Sequence, residues 1–122
     1  MSLEIRTEDS GTGLQKVIPR GRLDTNTAPQ LESVLDSLSP ARVIVFDLNG
    51  LEYISSAGLR IIFKTKKATL AAGGKALMVN LQPQVKKVFD IVKALPSDSI
   101  FTSWDELDEY LDGIQRRIVE GE

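Results

Sequence analysis

RVIVFDLNG, residues 42–50, runs into LEYISSAGLRII, residues 51–62, and the reading of that junction decides the fold. Val43 to Phe46 is apolar without alternation. A short, β-branched run of this kind reads as a strand buried on both faces, as in a parallel sheet covered by helices. Beyond it Leu59, Ile62, Phe63, Lys66 and Leu70 recur at helical spacing, with Lys66 placed to snorkel at the edge of the apolar face. Ser55, Ser56, Ala57 and Gly58 therefore stand where strand hands over to helix. Residues this small allow close packing of the helix on the sheet, or approach of another molecule to the backbone.

Working outward, LEIRTED (3–9) alternates, GTG (11–13) signals a turn and LQKVI (14–18) resumes strand character. The pair reads as a hairpin at a sheet edge, and Pro19 supports the edge placement because it has no N–H to donate. DTNTAPQLESVLDSL (24–38) reads as a helix. Thr27 is its N-cap, Gln30 completes a capping box, Pro29 fits the first turn, and Ala28, Leu31, Leu35 and Leu38 share a face. Ser39 and Pro40 end it. After Gly73 and Gly74, KALMVN (75–80) reads as a buried strand. QPQVKKVFDIVKAL (82–95) is a helix with Val85, Val88, Phe89, Val92 and Leu95 facing the core, stopped by Pro96. SIFTS (99–103) reads as a short last strand. Ser103 then caps a helix aligning Leu107, Tyr110, Leu111 and Ile114, with Trp104 a packing residue and QRRIVEGE (115–122) expected to fray. This order predicts a single α/β domain: a mixed sheet of about four to five strands, an N-terminal edge hairpin and about four packed helices. Its core is expected over 3–112, with 113–122 a helix end and tail.

Composition removes several kinds of function. Lys and Arg number 15 against 17 Asp and Glu, so nothing electrostatic points to nucleic acid or an anionic membrane. There is no cysteine and no histidine, which excludes disulfides, thiolate chemistry, imidazole switches and a Ser-His-Asp triad. Metal could be held only by carboxylates and carbonyls, no EF-hand spacing occurs, and neither a metal nor a cofactor is expected. The first residues lack the apolar centre of a signal peptide, and no stretch approaches the ~20 apolar residues of a membrane span. A cytoplasmic protein without membrane insertion is expected.

The serines admit several readings. Ser55 or Ser56 caps the helix, stabilising it by about 1 kcal/mol. A nucleophile elbow fails, because Ile54 stands where glycine is required and no histidine can activate the hydroxyl. A phosphate cradle has only Gly58 and the cation Arg60 to offer, and a nucleotide site stays open. The remaining reading makes the hydroxyl itself the substrate of a partner kinase.

DLNGLEYISSAGLRII, Asp47 to Ile62, resembles the signature of STAS domains, the anti-sigma factor antagonists and the related domain of sulphate transporters. GRLDTNTAP, Gly21 to Pro29, is similar to the segment before that family's first helix, and the element order matches from Leu3 to Asp112. The resemblance implies a phosphoacceptor at Ser56, with Ser55 as rival. Ser55 stands where the usual motif has Asp, Ala57 where it has the next Ser, and Asn49 where it often has Ser. It implies a protein-binding module rather than an enzyme. Its partners would be an anti-sigma factor that is also a serine kinase, and a resetting serine phosphatase. The contact residues would be Asp24, Thr25, Asn26, Ser55, Ala57, Gly58 and Leu59. Asp24 also reads as a turn or helix-entry residue, and Asp47 as tying down the loop after its strand. Lys64 to Lys67 reads as a solvated face, with docking of an acidic partner as the alternative. A STAS subunit regulating a transporter and a nucleotide-binding protein are the competing functions, and homodimerisation is left open. All of this expects the Ser56 hydroxyl to stand in the open.

Overall fold

The computed structural model describes residues 2–38, 41–94 and 104–121. β1 (Leu3–Asp9) and β2 (Leu14–Leu23) form the expected antiparallel hairpin. In its turn the Gly11 N–H donates to Asp9 Oδ1 at 2.8 Å. Of these two strands only β1 lies at a sheet edge. β2 pairs on its other side with two strands in succession, Leu14–Val17 with β3 (Val43–Asp47) and Gly21–Leu23 with β4 (Leu51–Ile54), both parallel. The edge placement of Pro19 is thus corrected. It falls between the two parallel pairings, where neither strand requires its missing N–H.

β4 is the element that the sequence reading did not separate. A turn divides it from β3: Leu51 N–H donates to Leu48 O at 3.0 Å and Asn49 N–H to Asp47 Oδ1 at 3.2 Å. Asp47 also accepts from Asn80 Nδ2 at 3.2 Å, so it ties down the loop as expected. β4 rejoins β2 where the register slips between Gly21 and Arg22. Gly21 there has φ +110°, and a Cβ would stand 2.4 Å from Ser2 O, so no other residue fits without strain. β5 (Lys75–Val79) pairs in parallel with β3. The described sheet has five strands in the order β1-β2-β3-β5, with β4 on β2, and it is mixed as expected.

The helices are α1 (Ala28–Asp36), α2 (Ser56–Ala71), α3 (Pro83–Ala94) and α4 (Trp104–Val119). Thr27 precedes α1, but its hydroxyl does not cap it. It donates to Arg22 O at 2.8 Å and accepts from Asp24 N–H at 2.9 Å. Gln30 likewise closes no capping box; its Nε2 donates to Leu3 O at 2.8 Å and ties α1 to β1. On α2 the buried stripe is Leu59, Ile62 and Thr69, whereas Lys66 is exposed and Leu70 is 68% exposed. The Thr69 hydroxyl donates to Thr65 O at 2.7 Å, so its burial leaves no polar group unpaired.

Val17, Ile44, Phe46 and Ala76 on one sheet face join Leu31, Leu59, Ile62, Val85, Val88, Phe89 and Leu111 from the helices in one core. Burial on both faces does not hold for β3 and β5. Val43 and Val45 are half-buried, and Leu77 and Val79 of β5 are 45% and 36% exposed. The continuous apolar run comes instead from a strand flanked on both sides within the sheet. At the C-terminus, α4 extends through the stretch expected to fray, with Ile114 and Gln115 buried and Tyr110, expected in the packing, turned outward. The expected SIFTS strand, the packing of Leu95, the stops at Ser39–Pro40 and Pro96, and the Ser103 cap lie outside the described residues, as does the Trp104 side chain. Among the described residues no helix is long and apolar enough to cross a membrane.

Gly58 sets how closely α2 approaches β2. A Cβ there would stand 2.5 Å from Leu23 Cγ and 3.1 Å from Ile54 Cγ1, and Leu23 is fully buried with nowhere to move. Gly58→Val is expected to destabilise the fold by about 2 kcal/mol or more, the range for overpacking a filled site. Urea denaturation followed by circular dichroism reads it as a lower midpoint.

Candidate functional site

The loop after β2 and the junction of β4 with α2 lie side by side, because Leu23 pairs with Ile54. Ser55 N–H donates to Leu23 O at 2.9 Å. Ser55 is the N-cap of α2: its backbone is extended, and its Oγ accepts from Gly58 N–H at 3.4 Å. That leaves Ser56 at the first helical position, where its own N–H has no partner within the helix.

The acceptor comes from α4. Ser56 N–H donates to Asp108 Oδ1 at 2.8 Å, across 52 positions of sequence. Two turns further along, Ile54 N–H donates to Gln115 Oε1 at 2.9 Å, and Gln115 Nε2 donates back to Ile54 O at 2.8 Å. Gln115 thereby pairs with β4 as another strand would, and it is 2% exposed. Its Nε2 also donates to Leu111 O at 3.2 Å.

With α4 laid across the junction, Ser55 and Ser56 are each 3% exposed. The expectation of an open Ser56 hydroxyl is therefore overturned: the residue is buried, and α4 supplies the acceptor for its N–H. Gly58 and Leu59, expected to touch a partner, lie in the packing beneath, with Leu59 at 4% exposure in the core. Ala57 is half-buried, and Thr25 and Asn26 are exposed at the same edge. Asp24 is the turn residue of that loop. Its Oδ1 accepts from Asn26 N–H at 3.0 Å and Thr27 N–H at 3.1 Å, and its Oδ2 lies 3.8 Å from Arg22 Nε.

Arg22 in turn covers the face of Tyr53, its guanidinium carbon 3.9 Å from the ring centre. Burial first, then the Asp112 carboxylate and more weakly Asp108, raise the Tyr53 phenol above its ordinary 10.0, against the opposing charge of Arg22. The carboxylates of α4 therefore act directly on the junction. Sequence reasoning missed Asp108 and Gln115. The available signal was phase: Asp108, Leu111, Asp112 and Gln115 fall on one stripe of α4, so a glutamine occupies a core-facing position.

The STAS domain model matches residues 13–107. The chain belongs to the STAS domain family. A Bordetella bronchiseptica protein provisionally named anti-sigma factor antagonist BtrV is 34% identical over 87 residues, 70% of this chain and 75% of that protein. Among solved structures, the anti-sigma factor antagonist SpoIIAA in its unphosphorylated form superposes with a TM-score of 0.62 at 16% identity, covering 90% of this chain and 99% of that one. The phosphorylated form of the Bacillus cell fate determinant SpoIIAA gives 0.62 at 17%, covering 73% and 83%. An anti-sigma factor antagonist from Mycobacterium paratuberculosis gives 0.60 at 23%, covering 91% and 95%. At these identities the structures establish a shared STAS fold.

Two outcomes follow from the α4 contacts. Gln115→Leu removes both partners of Ile54 inside the fold and is expected to cost about 2–4 kcal/mol, read as a lower urea midpoint. Tyr53 is expected to ionise above 10.0 in an ultraviolet absorbance titration, and Tyr53→Phe removes that step. Because its folded value is raised, the stability it confers is present below about pH 10 and is lost as pH climbs through the folded value.

Proposed function

We propose that this STAS domain is an anti-sigma factor antagonist switched by phosphorylation of Ser56. The observation that carries the reading is the place of Ser56, at the first position of α2 beside the exposed Thr25–Asn26 loop, in a chain 34% identical to a protein named as such an antagonist. In its unphosphorylated form the domain binds an anti-sigma factor that is also a serine kinase, and so frees a sigma factor. Asp24, Thr25, Asn26 and Ala57 form the contact edge. Gly58 and Leu59 act from below by holding α2 against β2, and Ser55 acts as the cap that fixes the first turn.

The chemistry of the switch is charge. A phosphoserine carries about −1.5 to −2 at neutral pH. A partner seated on the neighbouring Asp24, Thr25, Asn26 and Ala57 edge must then desolvate an anion beside it, and an unpaired buried charge costs several kcal/mol. About 3 kcal/mol already lowers affinity a hundredfold or more. The kinase thus loses its grip on its own product, and a serine phosphatase restores the binding form.

Incubating the full chain with its cognate anti-sigma kinase and ATP, followed by peptide mapping in a mass spectrometer, is expected to place one phosphate on Ser56. Ser56→Ala abolishes it. Ser55→Ala retains it while losing about 1 kcal/mol of stability through the missing cap. A phosphate on Ser55 alone, or on neither serine, removes the reading.

A further inference from the structure

A kinase cannot reach a serine that is 3% exposed without moving what covers it. Among the described residues α4 is bonded over it through Asp108, and α4 carries Asp105, Glu106, Asp108, Glu109 and Asp112, with no basic residue before Arg116. Asp108 takes the Ser56 N–H, the same kind of backbone donor that a phosphate at a helix start would claim. Two anions cannot share that donor. Like charges about 4 Å apart repel by a few kcal/mol even in a partly polar surrounding.

We propose that Asp108 is an intramolecular latch on the phosphorylation site, so that phosphorylation of Ser56 expels Asp108 and frees the first half of α4 while Gln115 keeps the second half fastened to β4. The proposal rests on Ser56 being the acceptor. In the transfer, the Ser56 hydroxyl oxygen bonds to the γ-phosphorus of ATP, the bond from that phosphorus to ADP breaks, and the hydroxyl proton passes to the kinase's base. The modified oxygen then carries the anion into the place held by the Asp108 carboxylate. The switch has two outputs: a charged edge at α2, and a displaced acidic helix next to it. The Ile54–Gln115 pair confines the movement, because breaking it would leave two buried backbone groups without partners.

Hydrogen exchange of the full-length chain, read by mass spectrometry, tests the latch without a kinase. Ser56→Glu supplies an anion and Ser56→Gln a neutral side chain of the same size. Exchange across residues 104–112 is expected to rise about tenfold to a hundredfold in Ser56→Glu over Ser56→Gln, the range for losing one charge-assisted hydrogen bond. Exchange at Ile54 is expected to stay protected. Adding Asp108→Asn to Ser56→Glu is expected to return residues 104–112 to the slower rate. Equal exchange in the Glu and Gln forms, or a rise that Asp108→Asn leaves unchanged, overturns the latch. Should both substitutions at 56 unfold the chain, Asp108→Ala in the native sequence serves: faster exchange of the Ser56 amide and faster labelling of Ser56 by the kinase support the latch, and unchanged rates overturn it. A phosphate on Ser56 with α4 exchange unaltered sinks the latch alone. Charge-driven loosening with no phosphate on Ser56 sinks the switch reading beneath it.

Discussion

A helix that starts inside a protein leaves its first N–H groups without partners, and each must find an acceptor or forfeit hydrogen-bonding energy. At the start of α2 those acceptors come from three parts of the chain. Leu23 O at the end of β2 takes the Ser55 N–H, Ser55 Oγ takes Gly58, and Asp108 of α4 takes Ser56. The constraint therefore fixes more than a helix end. It sets the closeness of α2 to β2, which Gly58 permits, and it brings α4 over the junction. The edge formed by the β2 loop and α2 exists in this form because these donors are satisfied in this way.

The parts of the fold written in local pattern were legible, and those written in long-range pairing were not. The helical phases of Leu31, Ile62, Val88 and Leu111 place them in the core as read. The apolar run of β3 marks a strand, yet its lack of alternation overstated its burial, because a strand with neighbours on both sides tolerates apolar residues on a half-covered face. β4 escaped notice because four residues after a tight turn show no period of their own. Pro19 misled for a related reason: an N–H is dispensable at an edge and equally at the changeover from one partner strand to the next. At the site, the loop, the cap and the serine could be read from sequence. Their covering could not, since Asp108 and Gln115 act across 52 and 61 positions.

Coverage changes what a phosphate on Ser56 would have to do. Had Ser56 stood open, a phosphate at the start of α2 would meet only the favourable end of the helix dipole, and the modification would leave the scaffold at rest. Here the favourable place is occupied. The charge that would profit from the N–H groups meets a carboxylate already bound to one of them. The electrostatics that welcome a phosphate at a bare helix start thus turn into a competition, and the weaker or less firmly held anion must leave.

On the proposed switch Asp108 would be the less firmly held of the two, for reasons of connectivity. A phosphate on Ser56 is covalently part of α2 and cannot withdraw. Asp108 belongs to a helix whose attachment to β4 runs through Gln115, two turns further on, and whose charged residues before Arg116 are all acidic. In the signature that the chain resembles, an acidic residue usually precedes the acceptor serine; here Ser55 occupies that place and uses its hydroxyl as a cap. The carboxylate beside Ser56 is supplied here by a separate element, α4. A carboxylate within the loop can only colour the charge of the site, whereas one on a separate helix couples that charge to the position of the helix.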